Sequence, residues 1–229
     1  REYPRRVHSR SPAVLSVNVG RAMTQRIPKG RTTGIGKEPV EVVSVADPGA
    51  KRVVDGAGVS GVGGDHIGDG RHHGGADQAV YAFAREELDA WSEALGRVLP
   101  HGMFGENLTT AGLDVDAAEV GDVWSVGSAV LEVRGPRVPC ATFAERMGER
   151  GWVKRFARHG RTGAYLQVRQ PGEIRPGDPI DVSPSGSGLD VPTLLRAFLG
   201  NHDAARVALD SGALAEHRHA ELTAIIDRA

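Results

Sequence analysis

The sequence holds a single cysteine, Cys140, among 229 residues, and it has no surplus of positive charge. One thiol cannot form an intramolecular disulfide, supply a four-cysteine zinc site or hold an iron–sulfur cluster within one chain. Lysine and arginine total 28 against 29 aspartates and glutamates, a balance that disfavours general nucleic-acid binding. We therefore expect a protein of a reducing, cytoplasmic compartment that binds no nucleic acid.

Long apolar runs and aromatic residues are also scarce. No stretch approaches the roughly 18 continuous apolar residues of a membrane span, and no apolar signal segment follows the basic start of the chain. Aromatic residues make up 5% of the chain and glycine occurs 31 times, which favours short strands and turns over long helical bundles. We expect a mostly β, α+β protein without a membrane partner.

Alternating and β-branched residues predict six strands. Two of them form a hairpin that turns at Gly127 and Ser128, and two others form a second pair. The predicted strands comprise residues 13–19, 39–45, the hairpin 120–134, and the pair 164–168 and 179–182. Between the second strand and the first helix, nine glycines at positions 56–75 exclude a regular helix and indicate a shaped loop.

Helical periodicity predicts an amphipathic helix over residues 77–95 and one or two short helices within 143–158. After a linker-like segment at 183–188, three further helices are predicted over residues 190–200, 203–209 and 214–226. We therefore divide the chain into a main domain, residues 1–185, and a C-terminal three-helix region, residues 186–229. A homodimer through these helices is kept as an open alternative.

Familiar nucleotide and metal motifs are incomplete. GAGVSG at residues 56–61 matches a dinucleotide fingerprint, but more glycines follow where a helix must begin. GRTTGIGK at residues 30–37 lacks the first glycine of a P-loop, and Glu38 replaces the required Ser or Thr. The nine histidines show no zinc-binding spacing, so a zinc site would need residues distant in sequence.

Three segments carry candidate chemistry. RHHGG, residues 71–75, precedes a predicted helix and can bind an anion, although its glycines can equally serve only to shape a turn. FGEN, residues 104–107, reads as a turn before a short strand. In PRVPC, Cys140 near Arg137 is a candidate nucleophile or soft-metal ligand, with a buried, inert thiol as the alternative.

In combination, these segments resemble the MOSC domain family, and within it the YiiM-type branch. The resemblance rests on the order TTGIGKEPV, HHGGADQAVYAFAREELDAW, GMFGENLTTAGL, VGDVWSVGSAVLEV and PRVPC, and it covers nearly the whole chain. It implies a closed or nearly closed, strongly bent β-barrel of mixed strands with peripheral helices and a small C-terminal three-helix module. It also implies a molybdenum cofactor, a molybdopterin that carries the metal.

The resemblance further implies which residues form the site. Cys140 corresponds to the family's metal-ligating cysteine and is therefore assigned both the catalytic and the metal-binding role. The implied cofactor-binding residues are Arg71, His73, Gly74, Gly75, Phe104, Gly105, Glu106, Asn107 and Arg137. Among these, the two arginines are expected to offer positive charge to the cofactor, and the glutamate and asparagine to orient the pocket.

The reaction that the resemblance implies is the reduction of N-hydroxylated small molecules, such as hydroxylamino purines, to amines. Because the sequence has no motif for a nicotinamide, flavin or iron–sulfur group, we expect a separate electron-donor protein. Two alternatives stay open. In the first, the domain carries the cofactor or a persulfide sulfur on Cys140 without turnover. In the second, it is a scaffold or regulatory protein with an unreactive thiol.

Overall fold

A computed structural model describes residues 11–26 and 31–227 of the chain. The basic N-terminal stretch lies outside these residues. The strands are β1 Ala13–Gly20, β2 Met23–Thr24, β3 Thr32–Thr33, β4 Lys37–Val40, β5 Val43–Val45, β6 Val53–Val54, β7 Ala57–Gly58, β8 Val80–Ala84, β9 Leu108–Ala111, β10 Val123–Val126, β11 Ala129–Pro136, β12 Ala164–Gln170, β13 Gly172–Ile174 and β14 Ile180–Ser183. The α-helices are α1 Arg85–Leu95, α2 Ala141–Met147, α3 Trp152–His159, α4 Val191–Phe198, α5 His202–Asp210 and α6 Glu216–Ile226.

Eight strands form one large mixed sheet in the order β14-β10-β11-β12-β8-β9-β1-β4. The pair β8 and β9 is parallel, whereas the other neighbours are antiparallel. Among the described residues, β1 meets the segment before β14 at one isolated bridge, Ala13 to Pro179, and not through a ladder. The fold is therefore α+β with a large sheet, and the closed barrel stays a prediction.

The hairpin predicted at Gly127 and Ser128 is confirmed. Val126 pairs with Ala129 across the two-residue turn, and Gly127 has φ +57°, a left-handed conformation in which glycine carries no Cβ strain. The prediction that residues 164–168 and 179–182 pair with each other is wrong. β12 pairs with β11 and β8, whereas β14 pairs with β10. The intervening turn segment contributes β13, which pairs with β5.

The helix predicted over residues 77–95 is only half present. Residues Val80–Ala84 form strand β8, and the helix begins at Arg85. All five strand residues are buried, because β8 lies inside the sheet between β12 and β9. Pairing on both sides satisfies the backbone of this segment as a strand, and this long-range pairing overrides the helical spacing of its apolar residues.

A core made mainly of aromatic side chains lies between β8 and the helices α1, α2 and α3. Its rings include Phe83, Trp91, Phe104, Phe143, Trp152 and Phe156. Phe104 contacts Phe143 with ring centroids 5.1 Å apart and Trp152 with centroids 5.8 Å apart, both edge-on. Through these contacts the core fixes the FGEN turn and the start of α2, which are two walls of the site described below.

The three predicted C-terminal helices are confirmed, and two of them have side-chain caps. Asp190 accepts the Thr193 backbone N–H at 2.7 Å, and Asn201 accepts that of Ala204 at 2.8 Å. Helix α4 packs on β11, where a Cβ at Gly135 would lie 3.1 Å from Leu194. The division at residues 185 and 186 stays a prediction. No helix in the part of the chain that the structure describes could cross a membrane, given its length and polarity.

Candidate active site around Cys140

A cavity of about 120 Å³ lies beside Cys140, between the start of α2, the FGEN turn, the loop before β8 and the segment 31–37. Of the ten residues that the sequence assigned to the site, six line this cavity: His73, Gly74, Gly105, Asn107, Arg137 and Cys140. The other four, Arg71, Gly75, Phe104 and Glu106, are not among its lining residues. The structure therefore places most of the assigned residues together, although their roles stay predictions.

Cys140 is the residue that precedes helix α2. Its backbone is extended, with φ −131° and ψ 173°, and its carbonyl accepts the first helical bond, from the Ala144 N–H at 3.1 Å. Pro139 has no backbone N–H, so it cannot continue the hydrogen bonding of a strand. Proline is also common near the start of a helix. The cysteine is partly exposed and lines the cavity, and it also packs against the edge of the aromatic core.

The surroundings of Cys140 favour its thiolate. Burial raises the pKa of the thiol, but a hydrogen bond with the His73 side chain and the positive charge of Arg137 outweigh burial and lower this pKa to about 6. The backbone N–H of Phe143, at the start of α2, acts in the same direction. At neutral pH its sulfur is therefore mostly anionic, as a metal ligand or a nucleophile must be.

Arg137 is a buried cation with a fixed position. Its guanidinium lies 5.1 Å from the centre of the Tyr81 ring and 4.3 Å from that of Phe143, and it donates a hydrogen bond to the Phe104 carbonyl. Its Nε is buried and has no hydrogen-bond partner among the described residues. One N–H of a buried cation is thus left without an acceptor in a residue that lines the cavity.

The glycines after His73 shape a tight loop. Gly74 has φ +87°, and its N–H donates to the Gln78 side chain at 3.1 Å. The helix that sequence analysis placed here is a single turn of 3₁₀ helix, Ala76–Gln78. The predicted anion site therefore lacks the helix dipole that supported it. Arg71 is exposed, outside the residues that line the cavity.

Glu106 holds the FGEN turn from within. Its carboxylate accepts the backbone N–H groups of Gly102 at 2.6 Å and Phe104 at 3.0 Å and the hydroxyl of Thr109 at 3.0 Å. Burial raises the pKa of this carboxyl, against the effect of those hydrogen bonds. Its neighbour Asn107 does line the cavity.

Two further cavity residues, Lys37 and Asp65, had no assigned role in the sequence analysis. The Lys37 ammonium contacts both carboxylate oxygens of Asp65, and their side chains are 8% and 3% exposed. Asp65 also accepts from Gly20, Ser60 and Asn107. They are 28 residues apart, and Asp65 stands within the glycine-rich loop, so no local spacing could have linked the two.

These residues define the class of site. A thiolate stands in the wall of a cavity, and buried charged side chains line the same cavity in an α+β fold. Among the described residues, no group of three or more His, Cys, Asp or Glu side chains could hold a metal ion. A metal-carrying cofactor brings metal ligands of its own.

The chain belongs to the MOSC domain family, whose profile matches residues 69–181. MOSC domains are generally associated with binding of the molybdenum cofactor. The uncharacterized protein YflK of Bacillus subtilis is 33% identical over 194 residues, which span 84% of this chain and 82% of YflK.

The comparisons also include a structure and a protein with a reductase name. The crystal structure of YiiM from Geobacillus stearothermophilus is similar with a TM-score of 0.71 and 27% identity, covering 94% of this chain and 99% of YiiM. A protein named Reductase from Gibberella moniliformis is 31% identical over 144 residues. That match spans 59% of this chain but only 25% of the Gibberella protein.

Proposed function

We propose that this protein binds the molybdenum cofactor through Cys140 and reduces N-hydroxylated small molecules, such as hydroxylamino purines, to amines. The observation that carries the proposal is the partly exposed Cys140 thiol at the cavity, whose pKa of about 6 makes it a thiolate at neutral pH. A thiolate is the soft anionic ligand that a metal of this kind requires from the protein.

The residues present fit such a group. The cavity offers one thiolate, and the buried Nε of Arg137 has no acceptor among the described residues, as expected for a donor that meets an anionic ligand. At Gly105, φ is +80° and a Cβ would lie 3.0 Å from Ile35, so the loop lies close to the opposite wall of the cavity. We also propose that the sheet, with its bridge from Ala13 to Pro179, is the bent barrel wall of the family.

Four of the residues that line the cavity have a part in this proposal. The cofactor, when bound, supplies a metal that exchanges two electrons with the substrate. Cys140 holds the metal, while His73 and Arg137 keep its sulfur deprotonated and fix its position. Asn107 orients one wall through its bonds to Asp65 and to the Tyr81 N–H. Electrons come from a separate electron-donor protein.

The experiment uses protein made in a host that synthesises the cofactor. Molybdenum is measured by elemental analysis in the wild type, in Cys140→Ser and in Val138→Ala, an exposed position two residues away. The proposal expects metal in the wild type and in the control and a loss of at least about tenfold in Cys140→Ser. Equal metal in all three proteins, or none in the wild type, would rule out a molybdenum ligand at Cys140.

A second candidate function is a sulfur carrier, in which Cys140 holds a persulfide. The same low thiol pKa favours it, because a thiolate attacks sulfur donors readily. Intact-mass measurement after incubation with a sulfur donor tests it. The carrier hypothesis expects one added sulfur that a reductant removes and that Cys140→Ser does not acquire. If the mass of the wild type is unchanged after incubation with the sulfur donor, the carrier hypothesis is excluded.

A further inference from the structure

Lys37 and Asp65 form a buried ion pair in the wall of the cavity that also contains Cys140. A buried pair of this kind adds little to stability compared with apolar packing, because both ions lose their hydration. Its presence in the wall of a cavity, and not within a core, suggests a chemical use.

Asp65 has no free capacity to act on a ligand. One carboxylate oxygen accepts the Gly20 N–H at 2.7 Å, and the other accepts the Ser60 hydroxyl at 3.2 Å and the Asn107 amide at 3.1 Å. Lys37 contacts both oxygens in addition. A carboxylate has about four lone-pair positions, so these donors fill them.

Lys37 does have free capacity. An ammonium has three N–H donors, and the two oxygens of Asp65 are the acceptors that contact it among the described residues. The third N–H therefore has no acceptor among the described residues, and Lys37 lines the cavity. Burial lowers the pKa of Lys37, with Arg137 acting in the same direction, whereas Asp65 and Glu106 oppose this. The net effect eases the release of a proton.

Other residues of the cavity are less suited to donate a proton. Cys140 is a thiolate with its own proposed role, and His73 is proposed to stabilise that thiolate. Arg137 retains its proton at any working pH. Lys37 is therefore a better candidate for an acid than these three residues.

We propose that Lys37 is the general acid that protonates the oxygen of the substrate N–OH group as the N–O bond breaks, and that Asp65 positions it. This inference rests on the proposed function. Reduction of R–NHOH to R–NH₂ and water consumes two electrons and two protons. The electrons come from the separate electron-donor protein, one proton comes from Lys37, and solvent supplies the other and restores the ammonium.

The first test is chemical rescue of Lys37→Ala. Turnover of 6-hydroxylaminopurine is measured with a chemical reductant in metal-loaded protein, with and without methylamine or ethylamine. The inference expects a loss of about 100-fold or more in kcat and partial recovery that depends on the pKa of the added amine. The control is Lys154→Ala at an exposed position of α3, which should behave like the wild type in every condition. A purely structural Lys37 would give no rescue.

A second variant, Lys37→Arg, keeps the charge beside Asp65 and serves if Lys37→Ala does not fold. Guanidinium does not release its proton, so we expect kcat to fall by about 100-fold. Molybdenum content and calorimetric binding of 6-hydroxylaminopurine, measured without reductant, should stay within about threefold of the wild type.

The outcomes separate the two claims. An inactive, metal-free wild type overturns the proposed function, and this inference with it. An active wild type together with a fully active Lys37→Arg overturns the inference alone. So does a loaded Lys37→Ala that no amine rescues.

Discussion

The His73 side chain and the Cys140 thiol meet at one cavity, although their segments lie far apart in the sequence. Interaction with His73, together with the charge of Arg137, lowers the thiol pKa to about 6 although burial acts against it. The reactivity of Cys140 is therefore set by a residue from the HHGG segment as well as by its own neighbours.

The first prediction concerns this pair. In cofactor-free protein, the rate of Cys140 alkylation by iodoacetamide should rise with pH through a midpoint near 6. Replacement His73→Leu removes a group that stabilises the thiolate, so the midpoint should rise by about one pH unit or more. Rates are followed by intact mass across pH 4.5–9.5.

His72→Leu is the matched control, because His72 is exposed and bonds to Asp69 at 3.0 Å on the surface. It should leave the alkylation midpoint where the wild type has it. An unchanged midpoint in His73→Leu, or an equal change in both variants, would contradict the role given to His73.

The parts of the fold with a local signal could be predicted from the sequence. The turn at Gly127 requires a left-handed residue, and two of the last three helices carry recognisable caps, Asp190 and Asn201. Short-range geometry determines these features, so a few neighbouring residues specify them. Cys140 and its cofactor came from the family resemblance, since its residues alone left an inert thiol as an alternative.

The parts that depend on distant pairing could not be predicted. Strand β8 contains Val80 and Ala84 at a helical spacing, and its strand conformation depends on partners such as Ala164 and Leu108. Likewise, Lys37 acquires a partner only when the glycine-rich loop brings Asp65 beside it. Neither arrangement leaves a periodic pattern that a single sequence can display.

A further prediction concerns Asp116, a buried carboxylate that is not among the residues lining the cavity. Burial raises its pKa from 3.8 to about 7, and one of its oxygens accepts the Gly163 N–H at 2.9 Å. The folded state therefore binds a proton more tightly than the unfolded state, so this residue's stabilising contribution is complete below pH 4 and is lost as pH rises to about 7.

Asp116→Asn should remove this dependence. Between pH 5 and pH 8, the free energy of unfolding of the wild type should fall by roughly 2 kcal/mol more than that of the variant. Urea unfolding at both pH values measures the difference. Parallel changes in the two proteins would show that Asp116 does not titrate in this range.

We predict that Glu106 stabilises the fold of the site and takes no part in its chemistry. Glu106→Ala leaves two buried N–H groups, those of Gly102 and Phe104, without acceptors, so it should cost about 2–4 kcal/mol of unfolding free energy. Glu93→Ala, at an exposed position of α1, should cost less than about 0.5 kcal/mol. A cost for Glu106→Ala as small as that of the control would contradict this structural role.

Gly102 and Gly96 provide a matched pair of glycines. Their replacement tests how closely the segment just before the FGEN turn lies to Lys37. Both have positive φ, +76° and +64°, so alanine is strained at either position by about 1 kcal/mol. At Gly96 nothing lies within 4 Å of an added Cβ, whereas at Gly102 the Cβ would be 2.5 Å from the Lys37 carbonyl oxygen. Gly102→Ala should therefore lower the free energy of unfolding by about 3 kcal/mol or more, against about 1 kcal/mol for Gly96→Ala. Equal losses in urea unfolding would mean that the segment at Gly102, just before the FGEN turn, does not lie close against the Lys37 backbone.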